Sequence, residues 1–303
     1  MRGLGNIHNI AFGMMPGTDT RILYKNDIIL YDNIGRPLGE TMNDEVNAFI
    51  GADMPKRIDF TVIVLCIRGG IEVECNLRIH TVKAGSALVL VPGTIADNVI
   101  LEPESEFAVL AVQNKDLAPD FSFYGGLFSA KNFSSTVQLD LQEDTVVMAV
   151  ESYLLLRKTL EKFGDATPEV LVKAHIMVLS SIAAVDAEVS LRKKEKVSQR
   201  EMILKEFLNQ VERRHREHRD VAWYAQKTGL SPKYLAKVIM AESGKRPTDW
   251  IRDYVILDAK SLIKSGRQTI GELCRTMNFN TQAQFNKYFK DATGMTPLEY
   301  RKS

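Results

Sequence analysis

Two short segments of this chain carry polar side chains at a spacing that suits chemistry on another molecule. The first holds Lys233, Ala236 and Lys237, and the second holds Gln282, Gln284, Asn286 and Lys287. On a helix these positions face away from Leu235, Val238 and Ile239, or from Phe285, Tyr288 and Phe289. Lysine donates to guanine, and glutamine or asparagine pairs with the adenine edge. The chemistry is hydrogen bonding to base edges rather than bond making. A second set, Ser231, Lys245, Arg246, Thr281 and Lys290, suits phosphate. Ser231 and Thr281 are first of all N-caps, and helix N-termini attract anions. The plainer reading of each residue is an exposed helix position without a partner.

The elements that position these residues occur twice. Asp220 caps a helix that begins DVAWYA, Gly229 offers a left-handed turn, and Ser231-Pro232 opens a second helix. Ser243-Gly244-Lys245-Arg246-Pro247 is a further turn. The pattern returns in Ile270–Met277, with Asn278 for Gly229, Phe279 for Leu230 and Thr281 as the new N-cap. Thr293-Gly294-Met295-Thr296-Pro297 answers the earlier turn, and Tyr300 answers Trp250. Leu235, Ile239, Gly244 and Pro247 each lie 50 residues before their partners. Thr248 to Ser265 reads as a connecting helix. Trp223, Tyr224, Trp250 and Tyr288 sit at core spacing, which argues against stacking on single strands.

The segment from Thr269 to Arg301 resembles the C-terminal signature of the AraC/XylS family of bacterial regulators. Phe285, Tyr288-Phe289-Lys290, Thr293-Gly294, Thr296-Pro297 and Tyr300-Arg301 carry the resemblance, with Ala259 and Leu262 in the linking helix. It covers roughly residues 198–303. Asn278 departs from the family's usual glycine, and Ala283-Gln284 departs from its usual serine-aromatic pair. The latter changes the chemistry facing the groove, so no recognised DNA sequence carries over. The resemblance implies two helix-turn-helix units entering successive major grooves, about 34 Å apart, and an asymmetric site per subunit.

Charge divides the chain in the same place. Residues 1–191 hold 15 Lys and Arg against 25 Asp and Glu, a net of −10; residues 192–303 hold 24 against 13, a net of +11. Only the second half is built to meet a polyanion. The first half, from about Ile7 to Leu139, reads as short strands punctuated by glycine and proline. Phe60–Ile67, Ile71–Cys75, Leu77–Val82, Ala87–Val91 and Phe107–Val112 are the clearest. They resemble the cupin-like sensor domain of many AraC-type regulators, Gly85 to Pro92 running into its barrel-mouth turn. Two helices follow. Val146, Val150, Tyr153 and Leu154 mark one, which Gly164 ends. The second opens at Thr167-Pro168 and carries a stripe of Leu171, His175, Val178, Ile182 and Val185. They resemble the family's dimerisation pair, and packing against the barrel is the other reading.

Enzyme chemistry finds little support. The five histidines, His8, His80, His175, His215 and His218, form no paired-ligand motif, so neither metal nor other cofactor is expected. No Walker loop, dinucleotide fingerprint or nucleophile elbow is present, Gly3-Leu4-Gly5 is too short to count, and no catalytic residue is assigned. Cys66 falls inside a strand and reads as packed. Three scattered cysteines fit a reducing compartment. Met1 to Asn9 lacks the apolar core of a signal peptide, and no apolar run approaches membrane-spanning length. A cytoplasmic location is expected.

The expected fold is α+β and multidomain. It comprises a cupin-like antiparallel β-barrel over 1–140, a helical dimerisation pair over 141–191, a linker over 192–197 and an all-α double helix-turn-helix domain over 198–303. The expected function is sequence-specific, DNA-binding transcription regulation under a small-molecule effector. Effector-independent dimeric regulation and a cupin enzyme with a basic accessory domain are the alternatives. Expected partners are double-stranded DNA, the effector, a second copy of the chain and RNA polymerase, with no membrane. The effector's contact residues are not assignable from sequence.

Overall fold

The computed structural model describes residues 21–36, 55–113, 136–193 and 198–303. His8, Met1 to Asn9, Gly3-Leu4-Gly5 and the core of the predicted linker lie outside the described residues. The chain divides into two compact units, with the boundary after residue 194.

The N-terminal unit holds two antiparallel sheets. One has the order β1-β2-β9-β4-β7-β10 and the other β3-β8-β5-β6. The strands are β1 (Ile22–Tyr24), β2 (Ile28–Asp32), β3 (Lys56–Arg57), β4 (Thr61–Arg68), β5 (Gly70–Cys75), β6 (Arg78–Lys83), β7 (Ser86–Leu90), β8 (Ile95–Leu101), β9 (Glu106–Val112) and β10 (Thr136–Asp140). The inner faces of both sheets share one core, which includes Tyr31, Phe60, Cys66, Val73, Val99 and Phe107. The six-stranded sheet is covered on its other face by helices, so every residue of β2 and β7 is buried. Their alternation therefore disappears into continuous apolar runs. In the four-stranded sheet β6 keeps its alternation, with Ile79, Thr81 and Lys83 exposed. No ladder joins the two sheets among the described residues, so over that span the expected barrel is an unclosed pair of sheets. Between β4 and β5, Gly69 turns at φ +71°, and a Cβ there would stand 2.8 Å from the Ser105 backbone. Burial pushes the Cys66 thiol up to about 11, which leaves it a packed, unreactive side chain.

Two helices, α1 (Glu143–Phe163) and α2 (Glu169–Lys193), follow the sheets. Tyr153, Leu156, Leu160, Val172 and Ile176 pack on Tyr24, Ile28, Leu30, Leu110 and Val112. Asp32 is buried there, accepting from the Tyr153 hydroxyl at 2.9 Å and paired with Arg157. Asp186 of α2 accepts from the backbone N–H of Gln142 at 2.6 Å. The stripe expected on α2 is divided, since Ile182 packs on Leu65, Ala87 and Ala149 while three of its members face outward. Val172, Ile176, Ser180 and Ala184 are buried, whereas Leu171, Val178 and Val185 are 39%, 49% and 65% exposed. The helix is apolar on two sides, and periodicity alone does not choose between them. Thr167 also departs from expectation, since its hydroxyl donates to the Gly164 carbonyl at 2.8 Å instead of capping α2.

The C-terminal unit is all helical over the described residues: α3 (Gln199–Arg214), α4 (Val221–Lys227), α5 (Pro232–Ser243), α6 (Pro247–Ser265), α7 (Ile270–Thr276), α8 (Gln282–Thr293) and α9 (Pro297–Lys302). Ser198 and Glu201 form a capping box at the start of α3. The linking helix α6 has one flank in the core of Leu273, Cys274, Met277, Phe285 and Phe289. Phe207 of α3 meets Tyr224 of α4 edge-on at 5.7 Å.

Candidate nucleic-acid interface

The pairs α4–α5 and α7–α8 are built on the same local bonds. After α4 the N–H of Gly229 donates to the Gln226 carbonyl and that of Leu230 to Ala225, at 3.2 and 2.9 Å. After α7 the N–H of Asn278 donates to Arg275 and that of Phe279 to Cys274, both at 2.9 Å. Each is a Schellman closure, and its left-handed residue is Gly229 at φ +68° or Asn278 at φ +52°. Ser231 then caps α5, its hydroxyl accepting from the Tyr234 N–H at 3.2 Å. Thr281 caps α8 in the same way, accepting from Gln284 at 3.2 Å. The caps aim both second helices out of their turns and occupy one orphan donor each.

The exposed faces of α5 and α8 carry most of the expected polar residues. Lys233 and Lys237 are exposed on α5, and Gln282, Gln284 and Lys287 on α8. Ala236 and Asn286, 50 residues apart, are half-buried at the flank of each helix, and Asn286 Oδ1 is shielded without a hydrogen-bond partner among the described residues. Ser231, Thr281, Arg246 and Lys290 are exposed. Arg246 pairs with Asp249 at 3.0 Å. Lys245 is drawn inward, 2.6 Å from Asp253 and over the Trp250 ring. The inward residues expected of both helices are buried except Tyr288, which is half-buried like Trp223 and Trp250. One exposed residue was missed. Tyr234 stands on the open face of α5, 50 residues before Gln284, so the repeat itself marks it.

Two contacts brace the pair of units, one buried and one half-buried. Asp258, fully buried on α6, accepts from His215 Nε2 at 2.9 Å and from Arg216 Nη2 at 2.9 Å. Arg219, just before α4, reaches the second turn. Its guanidinium donates to the Met277 carbonyl at 2.7 Å and to that of Asn278, and lies 3.9 Å from the Phe279 ring. Burial lowers the Arg219 pKa, and the facing carbonyls and ring offset that cost. His218 stacks on Trp223 at 3.9 Å, so neither ring is offered to a base. Among the described residues no three His, Cys, Asp or Glu side chains gather in a metal-ligand group.

Residues 224–303 match the model of a family described as a helix-turn-helix domain. The arabinose operon regulatory protein of Salmonella typhimurium is 34% identical over 84 residues, 28% of this chain and 30% of that protein. Its Escherichia coli counterpart is 34% identical over 82 residues, 27% of this chain and 28% of its own length. Over its C-terminal third the chain is thus similar to two arabinose operon regulatory proteins. It spans less than a third of the length of these curated relatives. An apo variant of ToxT from Vibrio cholerae aligns over 92% of this chain and 98% of its own, at 13% identity and a TM-score of 0.36. Within residues 224–303 the turns, caps and core of both helix-turn-helix units are in place. No described helix is long and apolar enough to cross a membrane.

Proposed function

We propose that this chain is a sequence-specific, DNA-binding transcription regulator of the AraC type. One observation carries the reading. Two helix-turn-helix units share a braced scaffold and expose Lys233, Tyr234 and Lys237 on one second helix, and Gln282, Gln284 and Lys287 on the other. In this reading these residues face base edges, with Ala236 and Asn286 at the flank. Ser231, Thr281, Arg246 and Lys290 meet phosphates, and Lys245 does so only by leaving Asp253. The exposed Leu171, Val178 and Val185 support a homodimer through the helical pair, since apolar side chains gathered on one helix are costly to leave in water. The N-terminal unit is then the half that receives a small-molecule effector and sets how the regulator acts with RNA polymerase in the cytoplasm.

Selection of bound sequences from a random duplex pool tests this, followed by anisotropy on the winner and on single-base variants. Gln282→Ala and Lys237→Ala each reduce discrimination at one position by about 1–3 kcal/mol. A pool without enrichment sinks the sequence-specific reading. Equal weakening on every duplex moves the two residues from bases to backbone.

A further inference from the structure

Every phenylalanine, tyrosine and tryptophan of residues 198–303 except Tyr234 has its ring centroid within 6.5 Å of another aromatic ring. Tyr234 makes no ring contact among the described residues, and its hydroxyl has no hydrogen bond there. It is the third residue of α5 and is 46% exposed. The core beneath it is filled without it, since Leu235, Val238 and Ile239 are buried. The repeat does not call for an aromatic at this place either, because Gln284 stands there on α8.

The surroundings of Tyr234 are basic. Lys233 precedes it and Lys237 follows one turn later on the same side, both exposed. No Asp or Glu occurs from Pro232 to Ala241. Its backbone is fixed by the cap, because its N–H donates to the Ser231 hydroxyl at 3.2 Å. A ring held in water on such a face is stabilised by a partner that is anionic overall and offers an apolar group locally. The major groove of a duplex meets both conditions. Among the donors and acceptors on its floor it presents one apolar group, the C5-methyl of thymine, and the first residues of a recognition helix are those that reach the base edges.

We propose that Tyr234 covers the C5-methyl of a thymine, so that the half-site under α5 must carry that base, while the half-site under α8 carries no such requirement through Gln284. The ring excludes water from the methyl, and Lys237, one turn on, donates to the neighbouring base. The competing use of this side chain is a hydrogen bond from the phenol to a phosphate. That use needs the hydroxyl, whereas the methyl contact needs the ring alone. The inference rests on the reading of α5 and α8 as the helices that enter the major groove.

The test uses the full chain and the duplex enriched from the random pool, with each thymine replaced in turn by uracil. Uracil keeps the pairing and every hydrogen-bonding group and lacks the methyl. Anisotropy gives the affinities of the unaltered protein, Tyr234→Phe and Tyr234→Ala for each duplex. One replacement, in one half of the site, weakens the unaltered protein about fourfold, the effect of one buried methyl. Tyr234→Phe keeps that response, and Tyr234→Ala binds the thymine and uracil duplexes alike. An enriched duplex indifferent to every uracil overturns the assignment, and so does a response that survives Tyr234→Ala. A loss on every duplex as large for Tyr234→Phe as for Tyr234→Ala overturns it too, and gives the hydroxyl to a phosphate. A pool without enrichment sinks the regulator reading and the methyl contact together, whereas an enriched duplex without a methyl response sinks the contact alone.

Discussion

In the first helix-turn-helix unit the turn from Thr228 to Ser231 is one residue shorter than its counterpart from Met277 to Thr281. Asn280 is the extra residue, inserted after a closure whose two hydrogen bonds match those of the first unit. Beyond the turn the register returns, with Leu235, Val238 and Ile239 answered by Phe285, Tyr288 and Phe289. The cores differ in kind, aliphatic on α5 and aromatic on α8. The exposed faces differ more, since α5 offers two lysines and a tyrosine where α8 offers two glutamines and a lysine. The backbone bonds that hold a second helix at its angle are repeated closely, while the groups that would meet a ligand have changed freely. Two copies of one scaffold thus present two chemistries.

That comparison requires the two units to be held as one body, and Asp258 is where most is at stake. Asp258→Ala leaves His215 and Arg216 facing a buried gap on the linking helix. Removing one partner of a buried pair costs about 3–5 kcal/mol; the partial exposure of Arg216 places the loss near the lower end. Urea unfolding of the full chain, followed through Trp223 and Trp250 for the first unit and through amide exchange at Leu273 and Phe289 for the second, should show one lowered midpoint common to both. Two separate transitions, one for each unit, would break the comparison, because the units would then be neighbours without a common core.

The turns give a smaller and sharper test. Gly229 and Asn278 hold the same left-handed backbone at φ +68° and +52°. A side chain at Gly229 would meet no neighbour within 4 Å, so any penalty is purely conformational. Gly229→Ala should cost about 1–2 kcal/mol, the ordinary price of a left-handed L-residue. Gly229→Asn should cost less, as asparagine bonds locally in that region and already serves at Asn278. Equal losses for Ala and Asn, measured by thermal unfolding, would mean that the two turns tolerate side chains differently and are not equivalent.

Much of this unit was legible in the sequence because its determinants are local. N-caps at Ser231 and Thr281, the left-handed Asn278 and the repeat itself depend on residues within a turn of one another. What remained hidden depends on partners far along the chain. The Asp258 brace joins residues 42 and 43 positions apart, and the Arg219 clamp spans 58. Which face of α2 packs was left open by the sequence, because both of its faces are apolar and only the sheet decides between them.

The smallest expected effect separates the units by acidity. In the second unit Thr269 with Glu272, and Thr296 with Glu299, form capping boxes at α7 and α9. The matching starts in the first unit have none, Asp220 capping α4 alone and α6 beginning without a side-chain cap bond. Hydrogen bonds from the threonine backbone N–H, and then from the threonine hydroxyl, lower both glutamate pKa values from the ordinary 4.5. The unfolded chain therefore takes up these protons first as the solution is acidified. The contribution of the boxes is fully present above pH 4.5 and is lost as pH falls through the depressed folded values. Both glutamates are solvent-exposed, so the change is local fraying rather than collapse. Amide exchange at Thr269 and Thr296 should accelerate below that pH beyond the intrinsic trend, while exchange at Tyr234, capped by the Ser231 hydroxyl, and at Trp250 should not. Glu272→Gln with Glu299→Gln keeps an acceptor at each cap and removes the titration, so it should flatten the response of α7 and α9. A response that survives both substitutions would assign the acid sensitivity to the shared core and erase this difference between the units.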